Sequence, residues 1–198
     1  AAPTLVVFAT YYPDRSFATD DYEEDYTLNR FFATSEIDTL IDTVESRYTT
    51  FARGDTSDQS LRASRRHRAF GGFSMGATTT WDVFALRPQY FYGYMPMAGE
   101  SWIGREEDAD SPRIAELVTA GVERAHYGPR DFLILASVGS EDPALWDMTP
   151  QIDELREDYP DVMTEDSLQL WIDEGESHSI TSVGNQVEHN LPLLFPGK

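Results

Sequence analysis

Apolar residues recur along the chain in two alternating rhythms: short near-continuous runs, and longer stretches with apolar positions three and four apart. The runs at about 4–10, 67–73, 91–98, 131–138 and 167–172 have the length and apolar density of buried strands. Between the first two, Ile37, Leu40, Ile41 and Val44 fall at i, i+3, i+4 and i+7, which predicts a helix capped by Ser35 and running to about residue 50. Further helices are expected at about 76–86, 112–124, 149–158 and 180–190. Pro112 after Ser111 and Pro150 after Thr149 stand where an N-cap and a first helical residue belong. Strands apolar on both faces and alternating with helices predict an α/β protein, a mostly parallel sheet with helices on both faces. In such a sheet the loops at the C-terminal strand ends carry the chemistry.

Three of those loops hold a consistent set of side chains. Gly72-Phe73-Ser74-Met75-Gly76 spells G-x-S-x-G between an apolar run and a helical stretch. A serine hydroxyl is a poor nucleophile unless a sharp strand-to-helix turn exposes it and a base takes its proton; the placement makes Ser74 a candidate. An acid and a histidine should then follow in that order. The run at 131–138 ends in Gly139-Ser140-Glu141-Asp142-Pro143, which offers Asp142 as the acid and Glu141 as its alternative. The run at 167–172 leads into Asp173-Glu174-Gly175-Glu176-Ser177-His178, which offers His178 as the base. His67 would sit roughly 20 Å from Ser74 at the far end of the same strand, at about 3.3 Å per residue. His126 falls on that same wrong edge, and His189 lies within the last helix.

Composition narrows the partners. The length of 198 residues suits one domain, and 35 Asp+Glu against 15 Lys+Arg leave a formal charge of -20, which repels nucleic acid and anionic membrane surfaces. Lys198 is the single lysine, which points to a salt-tolerant surface. Cysteine is absent, so disulfides and thiolate metal sites are excluded; neither a phosphate loop nor a metal-spaced His/Asp cluster suggests a cofactor. No run approaches the ~18–20 apolar residues that span a bilayer, and no signal peptide is visible. Two stretches interrupt the alternation. Residues 11–32, rich in acids and aromatics, form either a substrate wall or a solvated excursion, and the basic cluster 62–68 (RASRRHR) reads as structural, pairing with the chain's carboxylates.

The segments ASRRHRAFGGFSMGATTTWDVFALRPQYFYGYMPMAGESW, VGSEDPALWDMTPQIDELRE and GESHSITSVGNQVEHNLPLLF resemble feruloyl esterases of the family-one carbohydrate esterases, particularly the esterase domains attached to bacterial xylanases. The resemblance implies an α/β-hydrolase that releases ferulic and related hydroxycinnamic acids from xylan, without a cofactor, from a secreted protein that can carry xylanase or carbohydrate-binding domains. Feruloylated arabinoxylan or small hydroxycinnamate esters would be its substrates; acetyl-xylan or another small-acyl ester, or a non-catalytic role beside carbohydrate, are the alternatives. It makes Ser74 the nucleophile, Asp142 the acid, His178 the base and the Met75 N–H half of the oxyanion hole. A feruloyl ring needs an apolar slot, for which Trp102 and Trp146 are the candidates.

The chain departs from that pattern at its start. In the family a strand and an H-G-x-G-type loop precede the segment matching 4–10, and the loop gives the second oxyanion N–H. This sequence contains no such motif. The expectation is a single domain over 1–198 that lacks its N-terminal portion, with a gap in the middle of the sheet between the strand at 4–10 and that at 67–73. Unpaired N–H and C=O groups there would cost on the order of 1–3 kcal/mol each.

Overall fold

A computed structural model of the chain describes residues 3–12, 14–18 and 25–195. Within residues 11–32, position 13 and positions 19–24 lie outside the described residues. Four parallel strands, β1 (Ala69–Phe73), β2 (Gly93–Met97), β3 (Leu133–Gly139) and β4 (Leu168–Asp173), pair in the order β1-β2-β3-β4. Each lies within two residues of a run expected from the apolar pattern.

Helices cover both faces. Helix α1 (Tyr26–Phe31) passes through a π-helical stretch (Phe32–Glu36) into α2 (Ile37–Arg47); α3 (Asp58–Ala63) precedes the sheet; α4 (Met75–Leu86), α5 (Ser111–Arg124), α6 (Leu145–Asp158) and α7 (Ile180–Leu194) follow the successive strands. The larger core joins Tyr94, Ile134, Ala136, Val138 and Leu168 to Ile37, Ile41, Trp81, Phe84, Val118, Val122 and Ile152. The other face carries Met95, Met97 and Leu135, which pack against Leu194 of α7. The period-2 alternation of β2 and β3 sorts these residues between the layers.

Expectations at three helix starts need correction. Asp110, not Ser111, caps α5, accepting from the Arg113 N–H at 3.1 Å. Ser35 caps nothing: it sits inside a continuous helical stretch, because buried Phe32 and Ala33 extend the apolar face upstream. Pro150 is not at a helix start. Helix α6 begins at Leu145 with i→i+3 bonds, Trp146 N–H to Pro143 O at 3.2 Å and Asp147 N–H to Ala144 O at 3.3 Å, and the proline forfeits one later bond. Helix α3 had no apolar period to announce it; Ser57 nucleates it by accepting from the Ser60 N–H at 3.4 Å.

The largest departure is the run at 4–10, which belongs to no strand. Leu5, Val6 and Val7 are about half exposed and Phe8 is 96% exposed. The expected central gap therefore takes another form: the four strands are contiguous, and β1 is an edge with its outer side unpaired among the described residues. A β-run without a neighbour to accept its hydrogen bonds has no sheet to join.

The basic cluster is structural. Arg68 meets Glu45 at 2.8 Å, Arg62 meets Asp58 at 2.7 Å, and Arg65 donates to Pro88 O at 3.1 Å while lying over the Tyr127 ring. His67 stacks on Phe51, before β1 begins, and His189 on Trp171 of β4.

Candidate active site

Ser74 occupies a strained turn between β1 and α4, with φ 57° and ψ −120°. A non-glycine residue in that region costs on the order of 1–3 kcal/mol, and the surroundings hold it there. The Ser74 N–H donates to Met97 O on β2 at 2.9 Å, and its carbonyl accepts from Ala77 N–H at 2.8 Å. Gly72 is required because a Cβ there would come within 2.6 Å of the Gly76 backbone; Gly99 is required because a Cβ would meet the Ser74 carbonyl at 2.8 Å. Met75 opens α4, so its N–H is one of the donors that a helix start leaves without an intrahelical acceptor.

The other two loops are clamped to each other. Glu141 N–H donates to Glu176 O at 2.9 Å and Ser140 N–H to Asp173 O at 3.0 Å, while Gly175 N–H donates to Ser140 Oγ at 2.8 Å. A Cβ on Gly139 would stand 2.1 Å from Glu176 O, so only glycine permits the approach. The clamp turns Glu141 outward and Asp142 inward: Asp142 is 1% exposed, and Ala144 N–H donates to its Oδ1 at 2.9 Å. His178 Nδ1 lies 2.8 Å from Asp142 Oδ2 and 3.0 Å from Oδ1. The imidazole packs 4.4 Å from the Phe73 ring, beside the residue that precedes Ser74.

A buried polar ladder fixes the helix that follows His178. Asn190 Nδ2 donates to Ser137 Oγ at 2.9 Å, Ser137 Oγ to Gln186 Oε1 at 2.8 Å, Gln186 Nε2 to Ser182 Oγ at 2.8 Å, and Asn185 Nδ2 to Asp173 Oδ2 at 3.0 Å. The structure thus brings Asp142 and His178 together and sets both beside the Ser74 turn. The described hydrogen bonds include none from Ser74 Oγ to His178 Nε2.

Beside these loops runs a groove of about 710 Å³, lined on one side by Glu100 to Ile103 and Arg105 and on the other by Trp146, Asp147, Pro150 and Gln151 of α6. Trp102 is held in place: its Nε1–H donates to Glu100 Oε1 at 2.6 Å, the Arg105 guanidinium lies 4.2 Å over its face, and Tyr26 packs edge-on at 5.8 Å. Trp146 is 79% exposed at the mouth. Helix α1 braces both features, since Asn29 Nδ2 donates to Met75 O at 2.9 Å and Tyr26 O–H to Asp82 Oδ1 at 3.3 Å. Burial pushes the Asp82 carboxyl up to about 7, against the opposing pull of Arg30 and of Tyr26's hydrogen bond. Gln151, which no sequence signal marks, forms part of the groove wall.

A second cavity of about 190 Å³ follows the open edge of β1, with Ala9 to Tyr11 on one side and Gly72, Gly76 and Thr79 on the other. Among the described residues, no group of three His, Cys, Asp or Glu is placed to hold a metal ion.

No protein-family model matches the chain. It is 30% identical over 197 residues to endo-1,4-beta-xylanase Y of Acetivibrio thermocellus, matching 98% of this chain and 17% of that protein. Among solved structures it is similar to a serine-to-alanine mutant of the feruloyl esterase module from Clostridium thermocellum, complexed with sinapinate. The TM-score is 0.77 at 31% identity, over 85% of this chain and 59% of that one. A structure called FAE gives a TM-score of 0.73 at 31% identity over 84% and 57% of the two chains. The sequence resemblance to feruloyl esterases therefore extends to the three-dimensional structure, and the parallel sheet with its helices is of the α/β-hydrolase type. The chain spans less than two thirds of these relatives.

Proposed function

We propose that the chain is a serine carboxylic-ester hydrolase that releases ferulic or related hydroxycinnamic acids from esters on xylan. The observation that carries this reading is the Asp142–His178 pair, at 2.8 Å, on loops flanking the strained Ser74 turn. Asp142 holds the Nδ1–H and leaves Nε2 as the base. His178 takes the Ser74 proton as Oγ bonds to the ester carbonyl carbon, and the carbonyl oxygen becomes an oxyanion accepting from the Met75 N–H. Collapse breaks the ester C–O bond, and His178 returns the proton to the departing sugar hydroxyl. Water, deprotonated by His178, then attacks the acyl-enzyme; the acid leaves and Ser74 regains its proton.

The groove between Trp102 and Trp146 supports an aromatic acyl group, since about 710 Å³ far exceeds what an acetyl group fills. Glu100, Asp108 and Asp147 on its walls favour a neutral ester over the anionic product. The similarity to a feruloyl esterase module and to a xylanase supports a secreted setting beside xylan-degrading domains; no described helix is long and apolar enough to cross a membrane.

The second oxyanion donor belongs where Ala9 to Tyr11 face Gly72 and Gly76, or on a further strand lying along β1 as part of a larger sheet. The observation favouring a non-catalytic module is that the described hydrogen bonds include none between Ser74 Oγ and His178 Nε2. A fluorophosphonate probe separates the readings: wild-type chain should label at Ser74 and hydrolyse methyl ferulate, and Ser74→Ala should do neither. Retained turnover in Ser74→Ala rules out this mechanism; unlabelled wild type supports the non-catalytic module.

A further inference from the structure

The backbone of the strained Ser74 turn is tied to the rest of the molecule at two points. The Ser74 N–H donates to Met97 O on β2 at 2.9 Å, and Met75 O accepts from the Asn29 side chain of α1 at 2.9 Å. The other described bonds to backbone atoms of Ser74, Met75 and Gly76, from Ala77, Thr78, Thr79 and Thr80, come from α4 itself.

Asn29 destabilises the place it occupies. It is fully buried, and with Nδ2 committed to Met75 O its Oδ1 has no hydrogen-bond partner among the described residues. A buried acceptor without a donor costs folding free energy, whereas a leucine of similar size would bury no polar atom. Without Asn29, Met75 O would still accept from the Thr79 hydroxyl at 3.0 Å. Packing alone therefore favours an apolar residue at position 29, and a native chain that keeps the amide is expected to have a use for it.

The helical stretch is shaped to bring this residue to α4. Asn29, Ala33, Ile37, Ile41 and Glu45 are buried at intervals of four. In a regular α-helix, with 3.6 residues per turn, each such step drifts by about 40° around the axis. The π-helical stretch Phe32–Glu36 takes up part of that drift, so Asn29 still meets α4 while Ile37 and Ile41 enter the core.

We propose that Asn29 is a positioning residue for ester cleavage: by holding the Met75 carbonyl from outside α4 it fixes the first turn of that helix, and with it the direction of the Met75 N–H that receives the oxyanion. The assignment rests on the proposed hydrolysis at Ser74 and adds what orients its oxyanion donor. The hold acts on charge that develops in the transition state, so its loss falls on kcat more than on KM. Stability moves the other way, as expected where a polar group is kept for function.

The test compares wild type with Asn29→Leu and with Thr80→Val, which removes the side-chain donor that Gly76 O receives at 2.7 Å from within α4. On methyl ferulate, Asn29→Leu should lower kcat roughly tenfold with KM within about twofold, while its thermal midpoint equals or exceeds that of wild type. Thr80→Val should change kcat by less than about threefold. Selective 15N labelling of the 5 methionines gives one backbone amide signal for each. The Met75 signal should broaden or split in Asn29→Leu, with those of Met148 and Met163 unmoved. An unchanged kcat overturns the assignment. So does a kcat loss accompanied by a lower thermal midpoint, or a variant that fails to fold, either of which would make Asn29 a packing residue. Equal losses in Asn29→Leu and Thr80→Val overturn it too, since any side-chain donor on the turn would then serve. A Met75 signal as sharp and single in Asn29→Leu as in wild type overturns it whatever the kinetics. If wild type neither hydrolyses the ester nor reacts with fluorophosphonate, the hydrolytic reading falls, while the Met75 signal still decides whether Asn29 holds the turn.

Discussion

Asp142 meets His178 through both carboxylate oxygens, at 3.0 and 2.8 Å from Nδ1, while its neighbour Glu141 points to solvent and contributes a backbone N–H to the Glu176 carbonyl. Asp142→Asn should lower kcat on methyl ferulate by about 10³–10⁴-fold, because the amide no longer holds the imidazole with Nε2 free to act as base. Glu141→Gln should change kcat by less than about threefold. Steady-state kinetics of the two variants check the ranking, and its reversal would transfer the acid's role to Glu141.

The strain at Ser74 gives a prediction about stability. With φ at 57° the site favours glycine, so Ser74→Gly should be more stable than Ser74→Ala by about 1 kcal/mol, despite glycine's larger unfolded-state entropy. Both should be inactive. Urea unfolding of the pair measures the difference; an alanine variant at least as stable as the glycine one would mean that the turn is relaxed.

Gly139 couples the acid loop to the histidine loop. Gly139→Ala places a methyl group 2.1 Å from Glu176 O, so the loops must separate. The expected cost is about 2 kcal/mol or more in stability, with a drop in kcat exceeding the change in KM. Thermal unfolding with kinetics on the same sample tests this, and unchanged turnover would show that the clamp does not position His178.

Asp82 should shape the pH dependence of stability. Burial raises its folded pKa to about 7, whereas an unfolded aspartate titrates near ~3.9. Below about pH 4 both states hold the proton; between about pH 4 and 7 the folded state alone holds it, so this group's stabilising contribution declines as pH rises and levels off above about pH 7. The full difference is on the order of 4 kcal/mol. Asp82→Asn should therefore gain stability relative to wild type on moving from pH 5.5 to pH 8. A difference between the two proteins that does not vary with pH would place the Asp82 pKa near its ordinary value.

The outer edge of β1 and the exposed Leu5 to Phe8 are an adhesive combination. The 198-residue chain should self-associate as its concentration rises, and Val6→Lys with Phe8→Lys should weaken that association. Sedimentation velocity reads both, and a monomeric wild type at high concentration would mean that the edge is already protected.

The apolar pattern determined by itself the four strands, the helices that follow them, and the order Ser74, Asp142, His178 on successive loops. Burial on both faces forces continuous apolar strands, and parallel crossovers force the alternation, so both are written locally. Tertiary structure decided the rest. Whether Glu141 or Asp142 turns inward depends on how two loops dock, and Gly139 governs that through an atom of Glu176 thirty-seven residues away. Asn29 gave no sign because its tie to Met75 O exists only once α1 docks on α4. The run at 4–10 misled for the same reason: its residues suit a strand, but a strand is a relation between two segments, and no described segment pairs with it.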